Sequence, residues 1–219
     1  MTKKINKKRK KVEKKTLWVA LVIFVVLILI ILVGYFVRVY LSNGYYNYEG
    51  KNGEYKIWKS KVGSVIFYHV SVFQEDQEYI YSFRNHPKDL EEIYLEPGLI
   101  SELNRPKGIR KLYVTQDVEL ANMTDADSVL GIAAFEQMLT GNFGIYNLDI
   151  SNVYNTSFEN KTLPITCANV TNNIAVVYIK VGDETKVYSQ YGCIIIEGRG
   201  GNGIIKAGEK FAYNLLGVF

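Results

Sequence analysis

The sequence predicts a mixed α/β (or α+β) domain with N-terminal β-hairpins, preceded by one transmembrane helix. Three observations predict this fold class: an uncharged apolar run at residues 17–37, strand-like alternation early in the rest of the chain, and interspersed helix and strand patterns in its second half. We expect a basic tail at 1–16, the transmembrane helix at 17–37, a juxtamembrane connector at 38–44 and one globular domain at 45–219.

The apolar run is long enough to cross a membrane. At ~1.5 Å per residue, residues 17–37 extend about 31 Å, which matches a hydrocarbon core of about 30 Å. Trp18 begins the run and Tyr35 and Tyr40 lie near its end, where aromatic rings favour the headgroup level. A cleaved secretory signal is the alternative, but its apolar core rarely exceeds ~15 residues and 37–44 offers no small-residue cleavage site. We therefore expect a retained anchor.

The charge of the chain is divided unevenly around this anchor. The first sixteen residues hold nine Lys or Arg and one Glu, whereas the rest holds 17 basic and 21 acidic residues, a net charge of −4. Because basic flanks remain on the cytoplasmic side, we expect a cytoplasmic N-terminus and an extracytoplasmic C-terminal domain at the cell membrane. The tail should contact anionic lipid headgroups of the bilayer, and specific nucleic-acid binding is not expected.

Two β-hairpins are predicted at the start of the domain. Residues 45–49 and 54–59 flank the segment 50–53, whose Asn-Gly step is a strong hairpin signal. Residues 64–73 alternate as the first strand of the second hairpin, which turns back into a strand at 78–83. The first half of the domain should therefore be mainly antiparallel sheet.

The second half predicts helices between strands. The helix that follows Thr124 has acidic first-turn chemistry and should end at Gly141. Its core-facing stripe is predicted to contain Val129, Ile132, Ala133, Phe135 and Leu139. The other elements predicted in this half are a short helix at 88–93, strands at 111–115, 143–150, 174–181, 186–189 and 193–197, and a final helix at 205–216.

Cys167 and Cys193 are the only cysteines, and both belong to the part expected outside. An even count in an oxidising compartment predicts a disulfide, with two buried thiols as the alternative. Four N-x-Ser/Thr sequons lie in the same part of the chain and predict surface glycosylation if the host glycosylates exported proteins. Their acceptors are Asn122, Asn155, Asn160 and Asn169.

Residues 198–203 match G-x-G-x-x-G between a predicted strand and a predicted helix. A dinucleotide fold would require a further strand with an acidic residue, and these do not follow. The surviving hypothesis is an anion site at a helix start, and the alternative is a plain glycine-rich loop. The residues of this anion site would be Arg199, Gly200, Gly201 and Gly203.

Catalytic and metal-binding patterns are not apparent. His69 lies within an alternating strand, where a packed or surface imidazole is expected, and His86 ends a polar cluster that begins at Arg84 and is followed by Pro87. Neither histidine has metal-ligand spacing, and no nucleophile motif is present. The sequence therefore predicts no metal, no cofactor and no enzymatic activity.

Several segments together carry a resemblance to a known group. They are 81–87 (YSFRNHP), 165–169 (ITCAN), 193–198 (CIIIEG), Lys206-Ala207 and 215–217 (LLG). With the basic tail and anchor, they make the chain similar to a group of uncharacterised single-span proteins of small-genome archaea. The resemblance implies an envelope location and an archaeal source, without an activity or functional residues.

The sequence favours a structural or interaction module of the cell envelope, anchored by one helix and contacting an envelope or surface protein. The second hypothesis is a small-molecule or anion receptor that uses residues 198–203. A hydrolase is the third. An exposed apolar patch would favour the first, a pocket at Arg199 the second, and convergent groups with shifted pKa values the third.

Overall fold

The structure, a computed structural model, describes residues 18, 21–39, 44–74, 76–103, 108–109, 111–117, 126–140, 146, 148–154 and 165–219. Helix α1 spans Leu21–Val39 and has a mean hydropathy of 3.0, so it is long and apolar enough to cross a membrane. It extends two residues beyond the predicted end because Arg38 continues the helical backbone. Residues Tyr45–Phe219 form a separate compact unit.

The N-terminal half of the domain is a four-stranded antiparallel meander. Its strands are β1 (Tyr45–Gly50), β2 (Gly53–Val62), β3 (Val65–Gln74) and β4 (Gln77–Phe83), in that order across the sheet. Both predicted hairpins are confirmed. The Asn-Gly step closes the first, since Gly50 pairs with Gly53 and Gly53 takes a φ of 136° that side chains disfavour.

The second sheet has six strands and mixed direction. Its strands are β5 (Tyr94–Leu95), β6 (Lys111–Gln116), β7 (Ile150–Tyr154), β8 (Ile174–Val181), β9 (Lys186–Gln190) and β10 (Cys193–Gly198), in the order β5-β9-β10-β8-β6-β7. Strands β10, β8, β6 and β7 run parallel, whereas β9 is antiparallel to β10. The mixed α/β fold class is thereby confirmed.

Two helices pack on this sheet, and the second also packs on the meander. Helix α2 spans Ala126–Leu139 and α3 spans Gly200–Leu215. Phe211 of α3 contacts Phe135 of α2 at 5.6 Å between ring centroids, while Tyr213 contacts Phe83 of β4 at 4.1 Å. Because α3 lies between the two sheets, its residues are buried almost all around the helix.

Helix α2 faces the core with a different stripe from the predicted one. Phe135 and Leu139 are buried as expected, but Val129 and Ala133 are exposed and Ile132 is half-buried. The side turned inward carries Gly131, whose missing side chain lets the backbone of α3 approach closely at Ile204. The close contact between the backbones of α2 and α3 therefore decides which side of α2 faces the core, and Val129 and Ala133 are left on the other side.

Three further predicted boundaries were wrong. The short helix at 88–93 is a 3-10 turn over Pro87–Leu90. Strand β7 begins at Ile150, where the predicted strand 143–150 was to end, and runs to Tyr154 at the edge of the sheet, whereas residues 143–145 and 147 of the prediction lie outside the described residues. Helix α3 begins at Gly200 and not at 205, because packing against β10 stabilises a turn that glycine disfavours.

Candidate functional site

One face of the meander points away from the core, and we call it the outer face. Side chains alternate along each strand, and Tyr48, Ile57, Val70 and Tyr81 fill the core side. The outer face therefore carries the opposite set, whose apolar members are Tyr45, Trp58, Val62, Val65, Phe67, Phe73 and Ile80. Phe73 is 73% exposed and Tyr45 60% exposed. This is an uncovered aromatic surface.

A row of cross-strand neighbours runs over this face. Tyr45 pairs with Trp58, Trp58 with His69, and His69 with Ser82. The rings of Trp58 and His69 lie 5.5 Å apart and tilted by 30°. Stacking of this kind fixes ring orientation and leaves flat surfaces open to a partner.

His69 is held between two serines. Its Nε2 lies 2.6 Å from Ser60 Oγ and its Nδ1 lies 2.8 Å from Ser82 Oγ. Burial lowers the pKa of His69, which favours the neutral ring. A serine beside a histidine resembles a nucleophile and base, but here the ring joins serine side chains of the two strands that flank β3 in the sheet. The pair is a cross-strand hydrogen-bond bridge.

A cleft of about 540 Å³ opens where the meander meets the 3-10 turn after β4, and we call it the tyrosine cleft. Ring side chains form most of its wall, and the remaining groups are an amide, an amine and a carboxylate. Its lining residues are Tyr45, Tyr46, Tyr68 and His86, together with Asn47, Lys88 and Asp89. They come from three segments that are distant from one another in sequence.

His86 contributes its ring to the wall of the tyrosine cleft. Its Nδ1 accepts a hydrogen bond from the Lys88 amide at 3.2 Å, so the neutral ring carries its proton on Nε2. That Nε2 is buried and has no hydrogen-bond partner among the described residues. The rings of Tyr46 and Tyr68 lie 5.7 and 5.3 Å away, edge to face. Burial lowers the pKa of His86, an effect that the nearby Asp89 opposes.

In the polar cluster at 84–86, Arg84 and Asn85 have a structural role. Glu209 of α3 is 2% exposed and accepts from both Arg84 N and Asn85 N, the latter at 2.9 Å, and from Asn85 Nδ2 at 2.7 Å. Burial raises the pKa of Glu209, although these hydrogen bonds act against the rise. The carboxylate therefore fixes the chain after β4 to α3 and positions His86.

Lys210 is the next residue on α3 and is also buried, at 4% exposure. Its Nζ lies 3.2 Å from the centroid of the Phe219 ring, a cation–π contact. Burial lowers its pKa to about 8, against a small opposing effect of Glu91. No ion pair of Lys210 is found among the described residues. The contact with Phe219 therefore compensates only part of the cost of burying the ammonium.

The glycine-rich segment is the start of α3 and not a plain loop. Arg199 is exposed, and its amide donates to Thr185 Oγ1 at 3.3 Å. Gly203 is buried so tightly that an added Cβ would meet Thr185 Oγ1 at 2.8 Å and the Gly198 backbone at 3.0 Å. Close packing of β10 against α3 accounts for Gly203, whereas Gly200 has open space around it and takes a φ of 68°, which favours glycine. The tyrosine cleft does not include Arg199, and anion binding at Arg199, Gly200, Gly201 and Gly203 stays a prediction.

The predicted disulfide joins Cys167 and Cys193, whose Cα atoms lie 5.3 Å apart. It fastens a short 3-10 turn, Cys167–Asn169, onto the side of the six-stranded sheet opposite the helices. Within that turn the Asn169 side chain accepts from Thr166 N at 2.8 Å, completing a capping box. The other three predicted glycosylation acceptors, at 122, 155 and 160, lie outside the described residues.

A smaller cavity of about 110 Å³ lies between α2 and strands β6 and β7. Glu136 projects into it, with one carboxylate oxygen buried and unpartnered among the described residues and the other 3.3 Å from Asn152 Nδ2. Burial raises the pKa of Glu136 against this hydrogen bond. The rest of the described wall is mainly apolar. In the part of the chain that the structure describes, no group of three His, Cys, Asp or Glu is placed to hold a metal.

Comparison with known protein families, with curated proteins and with solved structures finds no match to this chain. A proposal for its function therefore rests on the chemistry of the described surfaces.

Sequence reasoning missed the tyrosine cleft and the outer face as sites. Tyr46, Tyr68 and His86 carry no motif, and their local patterns indicate only strands and a strand end. The alternation of 64–73 predicts the two faces of β3 but not which one is covered. A surplus of aromatic side chains on both faces of the predicted hairpins was the available signal, since a single core can cover only one of them.

Proposed function

We propose that this chain is a single-span protein of the cell envelope, with its N-terminus in the cytoplasm and its domain outside, that acts as an interaction module. The outer face of the meander is its contact surface. The observation that carries the proposal is the aromatic row of Tyr45, Trp58 and His69, continued by Phe73 and Ile80 on the same uncovered face. Exposed apolar patches of this kind mark interaction sites.

The basic tail and the disulfide support the proposed topology. Lysines before α1 favour retention of the N-terminus in the cytoplasm. The disulfide between Cys167 and Cys193 is typical of an oxidising compartment, because cytosolic thiols are kept reduced. These two features lie far apart in the chain and support the same orientation.

Protease protection on intact cells tests the topology. A tag at the C-terminus should be digested and one at the N-terminus protected, and thiols should react with a maleimide probe only after reduction. A protected C-terminal tag with freely reactive thiols would refute the placement outside.

Photocrosslinking tests the contact surface. A photoreactive phenylalanine analogue at Phe73 should give a discrete crosslinked species in intact membranes. The matched control is the same analogue at Tyr191, an aromatic residue that is 86% exposed on the turn between β9 and β10. Equal crosslinking from both positions would mean that exposure alone determines the product, and the outer face would lose its assigned role.

A further inference from the structure

The tyrosine cleft has the dimensions of a small-ligand site. Its volume of about 540 Å³ falls within the ~300–1,000 Å³ typical of such sites. Tyr46 is 41% exposed, so part of its ring is available to a ligand. The position of His86 is fixed on both sides in the sequence: Glu209 binds the two preceding residues, and the His86 side chain caps the 3-10 turn that follows. The site is therefore built on anchored elements and does not require a loop to close.

The polar groups around the rings suit a ligand with hydroxyl groups. Lys88 and Asp89 give the wall one charge of each sign, and the Lys59 ammonium lies 5.7 Å from the centroid of the Tyr46 ring. A net cation would meet both lysines and a net anion would meet Asp89. The tyrosine hydroxyls both donate and accept hydrogen bonds, the Lys88 ammonium donates and the Asp89 carboxylate accepts. Burial lowers the pKa of the half-buried His86 ring, which favours its neutral form. Hydroxyl groups, which also donate and accept, fit this mixture.

The aromatic walls define the rest of the ligand. The face of a tyrosine ring is electron-rich and attracts weakly positive C–H edges. A pyranose ring offers a face of C–H groups bordered by hydroxyls, which is the complement of ring faces bordered by Lys88 and Asp89. We propose that the tyrosine cleft binds a pyranose of a glycan, with Tyr46 and Tyr68 as the stacking surfaces and Lys88 and Asp89 as hydroxyl partners.

This proposal names the chemistry of an envelope partner, and so it rests on the placement of the domain outside the cell. It does not require Trp58, Phe73 or Ile80 of the outer face, and a binding assay on purified protein is independent of topology. A failure to bind sugar would therefore leave the proposed topology and contact surface intact, and a wrong topology would not alter the binding result.

Saturation-transfer NMR on the full chain in lipid nanodiscs tests the proposal. Maltoside detergents have to be avoided, because their headgroup is itself a sugar. The probes are maltotriose and chitotriose, with phenylalanine as a zwitterionic amino acid and inorganic phosphate as an anion. We expect saturation transfer to the ring protons of at least one trisaccharide, and no phosphate-dependent loss of that signal.

Three variants locate the binding. Tyr46→Ala and Asp89→Ala should each weaken trisaccharide binding by about tenfold or more, as the loss of a stacking anchor or a hydroxyl acceptor predicts. Tyr94→Ala, which removes an exposed tyrosine of β5 outside the cleft, should leave binding unchanged. Trisaccharide binding that survives both cleft variants would overturn the proposal, as would binding of phenylalanine alone or of no probe.

Discussion

Replacing Lys210 by methionine should stabilise the domain at neutral pH. The pKa of Lys210 falls from its ordinary 10.5 to about 8 in the folded domain, a difference that corresponds to roughly 3 kcal/mol at ~1.4 kcal/mol per tenfold change in proton affinity. The variant also loses the cation–π contact with Phe219, worth about 1–2 kcal/mol. Methionine keeps most of the side-chain volume, so the expected gain is about 1–2 kcal/mol.

The gain should depend on pH in a defined direction. Between pH 8 and 10.5 the folded chain binds fewer protons at Lys210 than the unfolded chain does, so wild-type stability rises with pH over this window. The methionine variant lacks this contribution. The advantage of Lys210→Met over wild type should therefore be largest below pH 8 and should diminish as the pH approaches 10.5.

Urea unfolding of the full chain in detergent, followed by tryptophan fluorescence, measures this difference at pH 7, 8.5 and 10. The control is Lys206→Met on the same helix, whose side chain is only partly buried and whose replacement should change the free energy of unfolding by less than ~0.5 kcal/mol. Lower stability of Lys210→Met than of wild type at pH 7, or an equal advantage at pH 7 and pH 10, would refute a net cost of burying the Lys210 ammonium.

Three further changes test the fold and one tests the topology. Serine in place of either disulfide cysteine should lower the free energy of unfolding by about 3 kcal/mol; an unchanged melting temperature in both variants would remove the disulfide from the account. Glu209→Gln should cost about 1–3 kcal/mol in urea unfolding, because its amide group faces donors, and a neutral result would contradict that geometry. Gly208→Ala should destabilise by about 1–3 kcal/mol despite the better helix propensity of alanine, since its Cβ would meet the carbonyl oxygen of Gly131 well inside contact distance; a more stable variant would disprove the close helix approach. Moving the lysines of residues 3–15 beyond Arg38 should invert or scramble the orientation, as read by accessibility of a C-terminal tag, and unaltered orientation would mean that charge does not set it.

Local signals explain how much of the fold the sequence predicted. The Asn-Gly turn at Gly53, the apolar run of α1 and the uninterrupted strand 174–181 each depend on neighbouring residues only, and the structure places elements there. The boundaries that failed depend on distant contacts. Three of the first four residues of helix α3 are glycines, which disfavour a helix by themselves, and the close contact of Gly203 with Gly198 of β10 is not encoded by residues 200–203 alone.

The candidate site could not be predicted for the same reason. Tyr46, Tyr68 and His86 come from β1, β3 and the turn after β4, and only the folded meander brings the two tyrosine rings within 6 Å of the His86 ring. Lys210 likewise reads as an ordinary charged position on an amphipathic helix. Its burial follows from a second sheet lying over α3, which helical periodicity does not encode.

The two sheets differ in whether the side that faces away from the main core is covered. The side of the six-stranded sheet opposite the helices is covered by the segment after Ile165, which the disulfide at Cys193 holds against Val176 and Ile195. Among the described residues no segment covers the outer face of the meander, although Phe73 is 73% and Ile80 55% exposed there. The aromatic residues left open on the meander are therefore the physical basis of the proposed contact surface.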